Sequence, residues 1–295
     1  MRYKKFGWHG KGPMIIDSIL KSIDRIPAFP AIVQKVRELL HDDDYSVADL
    51  VNVIKYDQAV AANILKISNS AYFGARQKIK TIHEAVVYLG QQQLVRAVQT
   101  AGVSKFYRKG GIGYVSKSKD LWEHSVAVAL MSQILSRKIR EREDPVLYTA
   151  ALLHDVGKII MGEYVHESFE QIINRVKNSK CSFLEAEEDI LGINHADLGG
   201  RIAAHWNFPS EIRDAIAYHH RPDLLMEKNK TNAWLVYLSD QACLMMGIDG
   251  GIDALAYKGL EDVMQYFNLR AIDLEKSFII LLDELEKARD LIHIF

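Results

Sequence analysis

Apolar residues recur along almost the whole chain at spacings of three and four, and short alternating β-branched runs closed by hairpin turns are missing. This pattern predicts an all-α protein. The periodicity places a first helix over Met14 to Ile23, which Pro27 and Pro30 separate by an extended connector from a second over Ala31 to Leu40. Ser46, with Asp49 three residues on, reads as a capping box for a helix through Lys55. Gln58 to Ser68 follows and stops at NSAYFG (Asn69 to Gly74). Helices over about Ile82 to Leu89 and Gln92 to Val103 meet at Gly90. The Gly-, Ser- and Lys-rich stretch RKGGIGYVSKSKD (Arg108 to Asp120) has the composition of a loop. It divides the chain into a flexible lead over 1–13, an N-terminal helical group over 14–110 and a second group over 120–295.

In the second group, metal-type side chains interrupt the apolar stripes. His124 falls in the stripe Leu121, Val128, Met131, Leu135 of a helix over Leu121 to Ile139. Asp144 and Pro145 open the next helix, which runs into LLHDVGKII (Leu152 to Ile160), where His154 and Asp155 are adjacent. Neighbours on a helix point about 100° apart, so the two cannot fully share a face, although both can still converge on an ion placed between them. Gly157 would permit a close approach, and Lys158 supplies a cation suited to phosphate; the plainer alternative is a helix end carrying a glycine stop and a lysine on the negative pole of the dipole. Asn194 caps a helix whose apolar face combines His195, Leu198, Ile202 and Trp206, and Gly199 and Gly200 would let another helix pack close; His205 lies off that face. Pro209 and Ser210 start a helix with stripe Ile212, Ala215, Ile216 and His219, followed at once by His220. Asp240 lies within the strongly apolar helix Thr231 to Met246, where a carboxylate without a partner would cost several kcal/mol. A last helix over Leu274 to Ile292 mixes apolar stripe and charge and is expected to pack on the second group or to support a dimer.

Composition narrows the function classes. Lys plus Arg number 37 against 38 Asp plus Glu, so the whole molecule has no electrostatic reason to seek nucleic acid or anionic membrane, although residues 1–110 carry roughly eight more basic than acidic residues. Lys105, Arg108, Lys109, Lys117 and Lys119 make a basic loop that a solvated linker explains equally well. Two cysteines, Cys181 and Cys243, are too few for a disulfide framework and read as buried small hydrophobes. No apolar run approaches the roughly 18 residues of a membrane span, and the basic N-terminus lacks a following apolar segment; a cytoplasmic protein is expected. Imidazole and carboxylate ligands without thiolate suit iron or manganese first, with zinc, nickel and magnesium as further candidates. The alternative is a set of core histidines that only hydrogen-bond.

The order H, HD, H, HH, D resembles the HD superfamily of metal-dependent phosphohydrolases. RIPAFPAIVQKVRELL, VIKYDQAVAANILKISNSAYFG, IHEAVVYLG and NHADLGGRIAAHWNFPSEIRDAIAYHHRP are similar to the HDOD family, the HD-related output domain of bacteria, over about Ile23 to Cys243. The resemblance implies one ion held by His124, His154, Asp155 and Asp240, and a second sharing Asp155 and taking His195 with His219 or His220. Lys158 matches a lysine that contacts substrate phosphate in many relatives. Many HDOD proteins lack much of this set and are regulatory scaffolds; this chain retains it. His220 is followed by RPDLL rather than the Gly-Tyr-Pro signature of the cyclic-di-GMP phosphodiesterase branch, and the alarmone hydrolase branch normally lacks the second, histidine-rich site. A diiron oxygenase would fit the ligand types, but no substrate motif points to one. The expectation is a signalling output module with a structural or sensory metal centre and a protein partner. The alternative is a phosphodiesterase or phosphatase acting on a nucleotide or other phosphate ester, with Asp155 and Lys158 as its catalytic residues. The aromatic pair Tyr72 and Phe73 is a candidate for core burial or a partner surface.

Overall fold

The computed structural model describes residues 12–39, 45–69, 77–107, 114, 118–179, 181–248 and 260–288. Among them no strand occurs, and the all-α expectation holds. In chain order the helices are α1 (Gly12–Ile23), α2 (Ala31–Leu39), α3 (Val47–Ile54), α4 (Gln58–Ser68), α5 (Ile82–Tyr107), α6 (Ser118–Arg140), α7 (Pro145–Leu153) and α8 (Val156–Ser179). They continue as α9 (Phe183–Leu191), α10 (His195–His205), α11 (Ser210–Ala217), a 3₁₀ turn (Pro222–Leu224), α12 (Glu227–Met245), α13 (Leu260–Tyr266) and α14 (Ala271–Lys287). None of the described helices is long and apolar enough to cross a membrane.

Local chemistry sets the helix starts. The Ser46 side chain accepts from the Asp49 N–H while Asp49 accepts from the Ser46 N–H, the reciprocal box expected at α3. Asp144 accepts from the N–H groups of Val146 and Leu147, with Pro145 supplying the first residue of α7. Asn194 accepts from the Asp197 N–H at 2.8 Å and so starts α10 at His195. At Gly90 the backbone takes φ 69° and ψ 171°, a conformation that side chains rarely adopt, and the two expected helices run through this kink as α5.

Helix α4 packs on α5, α6 lies among α7, α12 and α14, and α10 lies between α8 and α11. Helix α1 rests on α8, α9 and α10. Phe29, Phe106, Trp206 and Phe208 gather into one aromatic cluster, and the Trp206 indole donates to the Pro27 carbonyl at 3.1 Å. Between α5 and α7, Gln99 donates to Thr149, Thr100 bonds Tyr148, and Tyr107 donates to the Leu152 carbonyl. The terminal helix packs on α6, where Lys138 pairs with Asp273 at 3.0 Å. Cys243 is buried as expected, whereas Cys181 is half-buried; both are free. Tyr72, Phe73 and the basic loop residues Arg108, Lys109 and Lys117 lie outside the described residues, as do the side chains of Lys105 and Lys119.

Candidate metal centre

Five stretches of chain meet around Asp155. His124 projects from α6 in its buried stripe with Leu121, Val128, Met131 and Leu135. The helix expected to run through LLHDVGKII is broken: α7 ends at Leu153, His154 is its cap, and Asp155 immediately precedes α8. Gly157 and Lys158 therefore stand in the first turn of α8, not at a helix C-terminus, which corrects the helix-end alternative. The close approach expected at Gly157 is present. A Cβ there would lie 1.9 Å from the His195 carbonyl oxygen, so the backbones of α8 and α10 touch, bringing His195 beside Asp155. Gly199 and Gly200 similarly admit Ile216 and Ala217 of α11. His219 is not part of the α11 stripe: the helix ends at Ala217, Tyr218 caps it, and His219 and His220 occupy the following turn. A chain leaving the helix can present two successive imidazoles to one site, which the 100° step within a helix opposes. Asp240 comes from the middle of α12, and His205 is exposed away from the group.

The separations divide the group into two halves around Asp155. On one side His124 Nε2 lies 3.1 Å from Asp240 Oδ1 and 3.9 Å from Asp155 Oδ2, and His154 Nε2 lies 3.3 Å from Asp155 Oδ2 and 3.9 Å from Asp240 Oδ1. On the other, His195 and His219 place Nε2 at 3.6 and 3.8 Å from Asp155 Oδ1, and His195 Nε2 is 2.8 Å from His220 Nε2. Lys158 Nζ is 2.8 Å from Asp155 Oδ2. The remaining ring nitrogens explain the orientation. Nδ1 of His124 donates to the Ile248 carbonyl, that of His154 to Ala151 and that of His219 to Ile216, at 2.7 to 2.8 Å. A carbonyl oxygen can only accept, so Nδ1 carries a proton in each of these rings, and Nε2 is the nitrogen turned inward.

Electrostatics reinforce the arrangement. Burial would raise Asp155, but His154, Lys158 and His195 outweigh it and hold the carboxyl well below its ordinary range. Burial likewise opposes ionisation of Asp240, and the His124 hydrogen bond and charge reverse that, lowering it. At His154 burial pulls downward, yet the neighbouring Asp155 and Asp240 carboxylates set the net direction upward. Burial, joined by His154, pushes His219 down to about 3, and burial with His219 alongside pushes His220 well below its ordinary value. The set thus combines the anionic carboxylates of Asp155 and Asp240 with two imidazoles, His219 and His220, that burial holds neutral.

Two sets of donor atoms lie close enough together to share an ion: His124, His154 and Asp155, and Asp155, His195, His219 and His220. The fit is tested by what the protein leaves unsatisfied. Asp155 Oδ1 and His219 Nε2 are buried without a hydrogen-bond partner, and the Nε2 atoms of His195 and His220 face one another. Buried polar atoms without partners are costly, and a cation among them would satisfy acceptors of this kind. Sequence reasoning missed two neighbours of the site. Glu187 on α9 is fully buried behind His195, and Tyr114 donates its hydroxyl to Glu187. The signal for Glu187 was available: it sits midway between Phe183 and Leu191 at helical spacing, on a buried face, but the adjacent Glu185, Glu188 and Asp189 give the segment the look of a solvated helix.

Residues 26–222 match the model of the HDOD domain. The chain belongs to the HDOD family. Similar to it is an uncharacterized protein of Treponema pallidum (strain Nichols), 25% identical over 206 residues; the match spans 69% of this chain and 39% of that protein. Among solved structures, an HDOD domain protein of unknown function from Geobacter sulfurreducens has TM-score 0.72 at 23% identity, covering 96% of this chain and 98% of the other. A Marinobacter aquaeolei VT8 protein named for signal transduction has TM-score 0.72 at 19% identity over 97% and 66% of the two chains. A Shewanella amazonensis SB2B protein named as a metal-dependent phosphohydrolase has TM-score 0.62 at 17% identity, covering 95% and 99%. These likenesses establish the HDOD helical fold.

Proposed function

We propose that this HDOD protein is a signalling output module whose buried set holds two divalent cations. His124, His154, Asp155 and Asp240 would hold one, and Asp155, His195, His219 and His220 the other, with iron or manganese as the expected occupants. Bound cations would neutralise the paired carboxylates and supply Lewis acidity. The chain's own part is to set the donors in place: Asp155 offers one oxygen to each half, Lys158 engages Oδ2, and backbone carbonyls hold three of the imidazoles.

Burial is the observation that favours an output role. His124, His154 and Asp155 are each 1% exposed, Lys158 is 3%, His195 and His219 are 0%, and Asp240 is 2%. A substrate phosphate would have to reach donors that, the half-buried His220 apart, are closed inside the core, whereas a structural or sensory ion would be retained by that closure. The named signal-transduction neighbour is consistent with this reading, and the partner it implies is a protein. A second reading, phosphohydrolysis, draws on Lys158 standing against Asp155 and on the name of the Shewanella neighbour. In it Lys158 would meet the charge of a phosphate ester.

The two readings separate in one experiment. Protein loaded with iron or manganese is presented with phosphomonoesters, phosphodiesters and nucleotides, beside Asp155→Ala and Lys158→Ala. The output reading expects bound ions and no hydrolysis above the Asp155→Ala background. Hydrolysis that Asp155→Ala abolishes, and that Lys158→Ala loses while keeping its ions, would establish the enzyme instead.

A further inference from the structure

His195 differs from its neighbours in what stands behind it. The Nδ1 atoms of His124, His154 and His219 meet neutral backbone carbonyls, but Nδ1 of His195 meets a carboxylate, Glu187 Oε2, at 2.8 Å. The same oxygen accepts the His195 backbone N–H at 3.0 Å, and the other carboxylate oxygen accepts the Tyr114 hydroxyl. Glu187 is 0% exposed and Tyr114 1%. The Tyr114 ring stands edge-on to His195 at 5.9 Å between centroids, and Lys158 Nζ lies 5.5 Å from its centre. A fully buried carboxylate is costly to place, and three converging donors are what make this one tolerable. An apolar side chain would fill the same space on α9 without that cost, so packing alone does not account for the residue.

We infer that Glu187, braced by Tyr114, is a positioning residue that fixes the tautomer and orientation of His195 and thereby governs the His195, His219 and His220 half of the site selectively. A carboxylate behind an imidazole strengthens the opposite nitrogen as a ligand more than a carbonyl does, and losing such a partner typically costs 10–100-fold in metal affinity. The half around His124 and His154 has no such support and should not respond. The metal part of this inference rests on the two-ion reading above; the tautomer part does not.

The test therefore has two arms, on the full chain. In metal-free protein, long-range ¹H–¹⁵N spectra of the imidazoles should show His195 protonated at Nδ1, should lose that signature in Glu187→Leu, and should leave His124, His154 and His219 unchanged. A His195 signature indifferent to Glu187→Leu would overturn the positioning role. In calorimetric titrations with Mn²⁺ or Co²⁺, Glu187→Gln, which keeps the shape but not the charge, should weaken one of two sites by about 10–100-fold and leave the other intact. Tyr114→Phe should weaken the same site by a smaller factor. Equal weakening of both sites, or of neither, would overturn the selectivity. If the wild type takes up no ion, the two-ion reading and this arm fail together, while the tautomer arm still decides the role of Glu187. Should Glu187→Leu not fold, the isosteric Glu187→Gln carries both measurements, with a weakened His195 Nδ1 hydrogen bond as its spectroscopic sign.

Discussion

From α2 to the first half of α5 the buried face is almost entirely hydrocarbon: Ile32, Val33, Val36, Leu50, Ile54, Val60, Ile64, Ile67, Ala85 and Val86. Ser68, the polar side chain buried among them, returns its hydroxyl to the Ile64 carbonyl. From α6 to α12 the same depth holds His124, His154, Asp155, Lys158, Glu187, His195, His219 and Asp240. One region is assembled to be stable and the other carries groups that oppose stability unless something compensates them. The hydrocarbon face explains how the helices hold together; the polar one is where a function has to be sought.

The strongest way to break this contrast is Gly157→Ala. Its Cβ would meet the backbone of His195, which cannot yield as a side-chain tip can, so the cost should exceed the ~1–3 kcal/mol of ordinary overpacking. Chemical denaturation should show loss of cooperative folding, or a large fall in midpoint that added metal does not restore. Ile64→Ala sharpens the contrast from the other side. It should lower stability by about 2–5 kcal/mol in a urea titration and leave metal content unchanged, since its neighbours are apolar. Adding Mn²⁺ at 100 times its dissociation constant should stabilise the wild type by about 2.7 kcal/mol per site, and chelation should reverse the shift in melting temperature. Asp155→Ala should abolish that response. Ser46→Ala should cost about 1 kcal/mol through loss of the α3 cap, with or without metal.

The smallest effect concerns pH. Hydrogen bonds from Arg270, and then from Lys138, lower Asp273 below the ordinary carboxylate range. A carboxyl lowered by folding stabilises the protein above its unfolded value of about 3.9, and this contribution fades as the pH falls through the folded value. The stability difference between wild type and Asp273→Asn should therefore be present at neutral pH and shrink below about pH 4, measured by denaturation across that range.

Much of this was legible from periodicity and caps. Ser46, Asp144 and Asn194 start helices where their side chains allow, and His124, His195 and Asp240 are buried where their apolar stripes place them. Local pattern could not supply the break at His154 and Asp155, because LLHDVGKII is apolar enough to continue a helix; contact between Gly157 and His195, distant in sequence, accompanies the change of direction. The position of His219 escapes the helical pattern for a related reason. Its spacing from Ile216 is helical, but α11 has already ended at Ala217. Glu187 was hidden by its charged neighbours, and α13 was not anticipated. Spacing along the chain reports which face a residue occupies, but not which distant element arrives to meet it.

The central claim is that the donors around Asp155 hold ions. It is tested most directly by elemental analysis of protein purified without chelator or metal-binding tag and then reconstituted, beside the His154→Ala, Asp155→Ala double variant. The account predicts two equivalents of iron or manganese per chain, lost from the folded variant. A wild type that retains no divalent metal after reconstitution would contradict it and leave the histidines as hydrogen-bonded members of the core.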